Sequence, residues 1–143
     1  MNTNTSNANV VRIPTNLINK SSNFFEIWLA FLQPLHKLSE KEILVLAAFL
    51  KRRFELSKYI KNDEVLDKML MSIESRAEIK KTCDVKSQHF QVIMSKFKKN
   101  GVIIDGLFNK RYIPNIDVEM DGNRNYKLIL LFDVNDDRQK SSI

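Results

Sequence analysis

The sequence predicts a mainly α chain with a small β-sheet, an α+β fold in which helices dominate, and three observations carry that prediction. Two Ser-x-x-Glu patterns, Ser39 with Glu42 and Ser75 with Glu78, read as capping boxes, in which each side chain satisfies an orphan N–H at a helix start. Apolar residues after these starts recur at three- and four-residue intervals, the period of a helix that buries one face. Finally, Asn100-Gly101 closes the last such run and is followed by Val102, Ile103 and Ile104, as where a helix gives way to a strand.

A chain of 143 residues with 43% hydrophobic content supports one ordinary core plus tails. Domain limits follow from composition: a flexible polar arm at 1–22, a folded unit at 23–133 and a polar tail at 134–143. The start MNTNTSNANVV lacks the basic-then-apolar layout of a secretory signal, and no apolar run reaches the roughly 18 residues of a membrane span. A soluble, cytoplasmic protein without membrane partners is expected. Cys83 is the only cysteine and is read as a small buried apolar residue. With His36 and His89 the only histidines, no metal cluster and no cofactor site is expected.

Taken in order, the first element is a short buried helix at 24–32, FFEIWLAFL, ended by Pro34. Phe24, Trp28 and Phe31 fall along one side of it, as core or as a dimer face. The next helix follows Ser39, with Leu38 placed to staple against Ile43. Its inner face is Ile43, Leu46, Ala47, Leu50 and Phe54, and Lys51, Arg52, Arg53 and Lys58 form a solvated side. Asn62 caps a third helix whose first turn holds Asp63 and Glu64, where the helix dipole favours negative charge. Val65, Leu66, Met69, Leu70 and Ile73 give it a buried stripe, and Met69, Met71 and Met94 act as gap fillers.

A helix pair then occupies 75–100. The first member begins near Arg76 under the Ser75–Glu78 box and breaks at Asp84, whose short polar side chain tolerates turn geometry. The second carries Phe90, Ile93, Met94 and Phe97 on one stripe and polar or basic residues elsewhere. Strands are expected at 102–105 and 111–116, joined by 106–110, with Pro114 limiting the second. After the turn at Asp121-Gly122-Asn123, the run YKLILLF at 126–132 reads as a strand apolar on both faces.

The register of 75–116 resembles the winged helix-turn-helix DNA-binding domains. Val85 stands at the turn exit, Phe90 five residues on, Met94 and Phe97 on the same face, then Gly101 and an apolar strand. Three positions depart from that family. Asp84 replaces the common glycine, Lys86 the usual Ser or Thr, and Lys80 a frequent Ala, so that Lys80 must snorkel outward if the helices pack closely. Tyr112-Ile113-Pro114-Asn115 adds a weaker resemblance to winged-helix plasmid and phage replication initiators. The resemblance implies a helix-turn-helix at 75–100, a wing at 102–116, and an extra N-terminal helix and C-terminal strand.

Charge points the same way. The net charge is +6, and between Ser75 and Tyr112 nine basic residues face three acidic ones, so the remainder of the chain balances. A basic excess confined to one segment is the footprint of a phosphate-binding surface. The expected partner is double-stranded DNA, with helix 86–100 in the major groove and the wing at 105–111 on the backbone. Base edges would be read by Ser87, Gln88, His89 and Gln91, glutamine being able to pair bidentately with adenine. Phosphates would be held by Arg76, Lys86, Ser95, Lys96, Lys98, Lys110 and Arg111. Lys99 would join them from a position close to the core side.

No catalytic residue is expected. The three glycines form no phosphate-cradling loop, and Ser87 and His89, two apart on a helix, point away from each other. The expected function is therefore transcriptional regulation or replication control, in a bacterium or a phage-infected host given the Asn/Lys/Ile-rich composition. The alternative is a winged-helix assembly module, such as a virion or replisome component, that binds protein. Two segments offer surfaces for such a partner or a homodimer. Phe24 and Leu32 bound one, Tyr126 and Phe132 the other.

Overall fold

Three helices pack around the helix that follows Ser39. In the computed structural model, which describes residues 23–115, this helix (α3) runs Glu40–Ser57. The expected capping box is formed: Ser39 N–H donates to Glu42 Oε1 at 2.8 Å, and Glu42 N–H donates to Ser39 Oγ at 3.4 Å. The expectation of a single inner face is corrected. Six consecutive residues, Val45 through Leu50, are buried, so the middle of α3 is enclosed on all sides. The reason is its neighbours: α1 (Asn23–Phe31), α4 (Asp63–Leu70) and α5 (Ile73–Cys83) all pack on it.

α1 buries Phe25 and Leu29 against α3 and leaves Phe31 46% exposed. Pro34 does not simply terminate this region. It sits in the first turn of a further one-turn helix, α2 (Gln33–His36), where no N–H is required of it. His36 is fully buried and satisfied at both ring nitrogens: Nε2 donates to the Leu29 carbonyl at 2.7 Å, and Nδ1 accepts from Leu38 N–H at 3.0 Å.

Asn62 caps α4 as expected, its Oδ1 accepting from Glu64 and Val65 N–H. The buried stripe differs. Leu66 and Leu70 face the core together with Asp67, whereas Val65, Met69 and Ile73 are 47%, 43% and 81% exposed. The helix is rotated toward Asp67 because two cations hold that carboxylate inside. Arg53 Nε donates to Asp67 Oδ1 at 3.0 Å and Lys110 Nζ to Oδ2 at 2.6 Å. Arg53 is therefore not part of a solvated face, and neither is Arg52, whose Nε donates to Ser75 Oγ at 2.7 Å.

α5 starts one turn earlier than the Ser75–Glu78 pattern indicated. Ser72 is the cap, its Oγ accepting from Ser75 N–H at 3.2 Å. Ser75 is buried, and its hydroxyl donates to the Met69 carbonyl while accepting from Arg52, so it is not available as a cap. Asp84 ends α5 in the left-handed region (φ 53°), as its side chain suggested. Beyond Lys86 comes α6 (Ser87–Lys99), closed by Gly101 at φ 76° with Val102 N–H reaching back to the Phe97 carbonyl.

The sheet is a two-stranded antiparallel hairpin. β1 (Ile103–Ile104) pairs with β2 (Leu107–Phe108) in the register Ile103 to Phe108 and Ile104 to Leu107. Asp105 and Gly106 have φ of 54° and 81°, the paired positive values of a two-residue type I′ turn. The expected loop at 106–110 and strand at 111–116 are thus corrected. Asp-Gly turns the chain at once, and Lys110–Tyr112 forms a 3₁₀ turn capped by Asn109, burying Tyr112. Ile116, the strand at 126–132, the arm at 1–22 and the tail lie outside the described residues.

Three aromatic contacts tie the layers together. Phe49 of α3 lies 6.1 Å from Phe90 of α6 and 4.9 Å from Phe108 of β2, and Phe97 lies 6.3 Å from Phe108. Trp28 Nε1 donates to the Tyr112 carbonyl at 2.8 Å, joining the first helix to the end of the described chain. Among the described residues no helix is long and apolar enough to cross a membrane, and no buried side-chain polar atom lacks a partner.

Two outcomes follow from this packing. Asp67→Ala leaves half-buried Arg53 only the exposed carboxylate of Asp63, 3.9 Å away, and should cost about 3 kcal/mol in urea unfolding, the magnitude of a broken buried pair. Lys110→Met, at the more exposed end, should cost about 1 kcal/mol or less. Burial pushes the Cys83 thiol above its ordinary value of 9.0, against a smaller opposing effect of Lys41. The folded state holds this proton more tightly, so the contribution is full below pH 9.0 and is lost as pH rises through the folded value. At pH 8 the thiol should react with a disulfide reagent far more slowly in native protein than in urea.

Candidate nucleic-acid interface

α6 carries the candidate surface because its two sides are chemically separate. Phe90, Ile93, Met94 and Phe97 are buried, all within one stripe. Successive residues turn about 100° around a helix, so the line directly opposite is Gln88, Val92, Ser95 and Lys99. Ser87, Gln91 and Lys98 flank that line on one edge, His89 and Lys96 on the other. Every one of these residues except half-buried Lys96 is exposed.

All four residues expected at base edges, Ser87, Gln88, His89 and Gln91, are therefore at the surface, but not on a single line. Gln88 is central, whereas Ser87 and His89 sit on opposite edges. The Ser87 hydroxyl also accepts from Lys80 Nζ at 3.4 Å. Lys80 is half-buried, and its ammonium lies 5.6 Å from the centre of the Phe90 ring.

The residues expected on phosphates divide into two groups. Lys86, Ser95 and Lys98 are exposed, and neither lysine has an ion-pair partner among the described residues. Arg111 is exposed with its guanidinium 5.5 Å from the Tyr112 ring. The other three are engaged within the fold. Lys96 lies 3.7 Å from Glu42, Lys110 is held by Asp67, and Arg76 Nε donates to the Met71 carbonyl at 3.1 Å.

The hairpin also places its charges differently from expectation. Its tip is Asp105-Gly106, beside Ile104, which is 52% exposed, and not Asn109, Lys110 and Arg111. Asn109 is occupied by local work, donating to the Gly101 carbonyl at 3.0 Å and capping Arg111 N–H.

One residue on the surface was not anticipated, and another stands further out than expected. Lys99, expected to hold phosphate from close to the core side, stands on the outermost line of α6 and is exposed. Val92 is 62% exposed on that same line. The signal was present in the helical period, since Val92 is about one turn and Lys99 about three turns from Gln88, both opposite Phe90 and Phe97.

Electrostatically, α6 opens without a carboxylate in its first turn and without a side-chain cap, Lys86 occupying that position. Its first N–H groups, with the positive end of the helix dipole, are open to an anion. No group of three His, Cys, Asp or Glu residues placed to hold a metal ion occurs among the described residues. Comparison with protein-family models, with curated proteins and with solved structures finds no match to this chain.

The split among the cations is open to direct measurement. Under limiting acetylation of the native protein, Lys98 and Lys99 should modify at the rate of free surface lysines. Lys110 should lag several-fold, and Asp67→Asn should remove that lag.

Proposed function

We propose that the chain is a winged helix-turn-helix protein that binds duplex DNA, as a transcriptional regulator or replication-control factor. The observation that carries this reading is the outward side of α6, where Gln88, Gln91, Ser95, Lys98 and Lys99 are exposed together and no carboxylate stands among them. α6 would lie in the major groove with Gln88 and Gln91 at base edges and Val92 available to a thymine methyl group. Ser95, Lys98 and Lys99, together with the open N-terminus at Lys86, would hold phosphates on either side.

The hairpin has a smaller part in this reading than its sequence suggested. Arg111 remains for the backbone, while Lys110 would have to share its ammonium with Asp67. A second reading, a module that binds protein, is favoured by one observation. Val65, Met69 and Ile73 expose apolar surface across α4 and the start of α5.

Selection of binding sites from random duplex DNA, followed by salt titration, separates the roles. Gln88→Ala should relax base preference at a cost of about 1–3 kcal/mol. Lys98→Ala should weaken all sequences alike and reduce the slope of log K against log salt by about one. No duplex binding even at low salt, with salt-insensitive capture of a protein partner, would replace this reading with the second.

A further inference from the structure

α6 turns one apolar side chain outward. Of its apolar residues, Phe90, Ile93, Met94 and Phe97 are buried, whereas Val92 is 62% exposed and does not belong to the core or to the residues packed against it. Helix stability does not account for a valine there, because a β-branched side chain loses rotamer freedom in a helix and forms one less well than Ala, Lys or Gln. Its outward neighbours are Gln88, Gln91, Ser95, Lys98 and Lys99, all exposed, and the two lysines pair with no carboxylate among the described residues.

A lone valine ringed by amides and free ammonium groups restricts what can cover it. An apolar protein face laid over Val92 would strip water from Lys98, Lys99 and both glutamines without replacing their hydrogen bonds, a costly exchange. The major groove of a duplex meets the same surface at each point. Phosphates flank it for the lysines, and adenine offers N6 and N7 to a glutamine. The base edges there carry one apolar group, the 5-methyl of thymine. Val92 follows Gln88 by four residues, about 6 Å along the helix, which spans about two base steps.

We propose that Val92 is a specificity-determining residue that reads the 5-methyl group of a pyrimidine, thymine in unmodified DNA, within about two base pairs of the base contacted by Gln88. This assignment rests on duplex binding by α6 as proposed above, and adds the chemical group recognised and the side chain that recognises it. Glutamine can rotate to serve more than one base edge. Valine has no polar atom to offer, so it favours the one base pair whose groove edge is partly apolar. Cytosine methylated at carbon 5 presents the same group and is distinguished from thymine by its exocyclic amine.

Replacing thymines one at a time by deoxyuridine, in the duplex recovered by site selection, tests it, because deoxyuridine keeps the pairing edge and lacks only the methyl group. One replacement, within two base pairs of the position whose preference Gln88→Ala relaxes, should weaken binding about four-fold, the effect of burying one methyl group. Val92→Ala should weaken binding to the thymine duplex by a similar factor and make the protein indifferent to that replacement, with its urea midpoint unchanged or raised. At the same position 5-methylcytosine should be bound more tightly than cytosine by the unaltered chain and equally by Val92→Ala. Duplex binding that no deoxyuridine replacement alters would overturn the assignment while leaving DNA binding in place. Methyl discrimination that persists in Val92→Ala would overturn it in the same way. No binding to any duplex at low salt, seen before any replacement is made, would remove the DNA reading and this assignment together.

Discussion

The fold depends on where the ring of Phe49 sits. It lies on the most enclosed helix and touches Phe90 of α6 and Phe108 of the hairpin, two elements that also meet through Phe97 and Phe108 and along β1. Aromatic pairs of this kind contribute about 0.5–1.5 kcal/mol each beyond the burial of their area. More important here is geometry. A flat ring between two others leaves α6 little freedom to roll about its axis, and that axis decides which residues are outermost. Lys99 and Val92 stand outward, and Met94 and Phe97 inward, because Phe90 is fixed against Phe49. The surface on which a functional reading rests is thus set by a contact made entirely within the core.

Charge in this chain has two distinct uses that a count along the sequence merges. Asp67 draws Arg53 and Lys110 into a half-buried cluster, Glu42 holds Lys96, and Arg52 and Arg76 spend their guanidinium Nε–H groups on Ser75 and the Met71 carbonyl. What remains outward on α6 is a smaller set, Lys86, Lys98 and Lys99. Three of the residues that make the segment basic on paper are engaged this way, Lys96 tying α6 to α3, Lys110 the post-hairpin turn to α4, and Arg76 holding the turn before α5. A surface with fewer free cations relies correspondingly more on polar side chains and on the open helix start.

Local signals were legible wherever the partner of a residue lies within a turn of it. Ser39 with Glu42, Asn62 over α4, Asp84 in the left-handed region and Gly101 after α6 all act on their own neighbourhood, and each was placed from sequence. The misplacements share a different physics. Ser72 and Ser75 are both credible caps, and only the approach of Arg52, from a helix 23 residues away, takes Ser75 out of contention. The rotation of α4 is set by Asp67, whose cations come from 14 and 43 residues away. Asp105-Gly106 is an exception, a purely local turn signal that closes the hairpin before the basic cluster at Lys110 and Arg111. The outer line of α6 was also computable from periodicity, but the sides of a helix named by composition alone do not reveal which polar residue is central.

The bond from the Trp28 indole to the Tyr112 carbonyl spans 84 residues and joins the first helix to the last turn of the described body. Trp28 is the only tryptophan in the chain. Its emission is therefore a reporter of one joint, free of averaging over several indoles, and that joint sits where the two ends of the described body meet. Loosening at this joint can be followed optically without a label, and separately from anything that happens at α6.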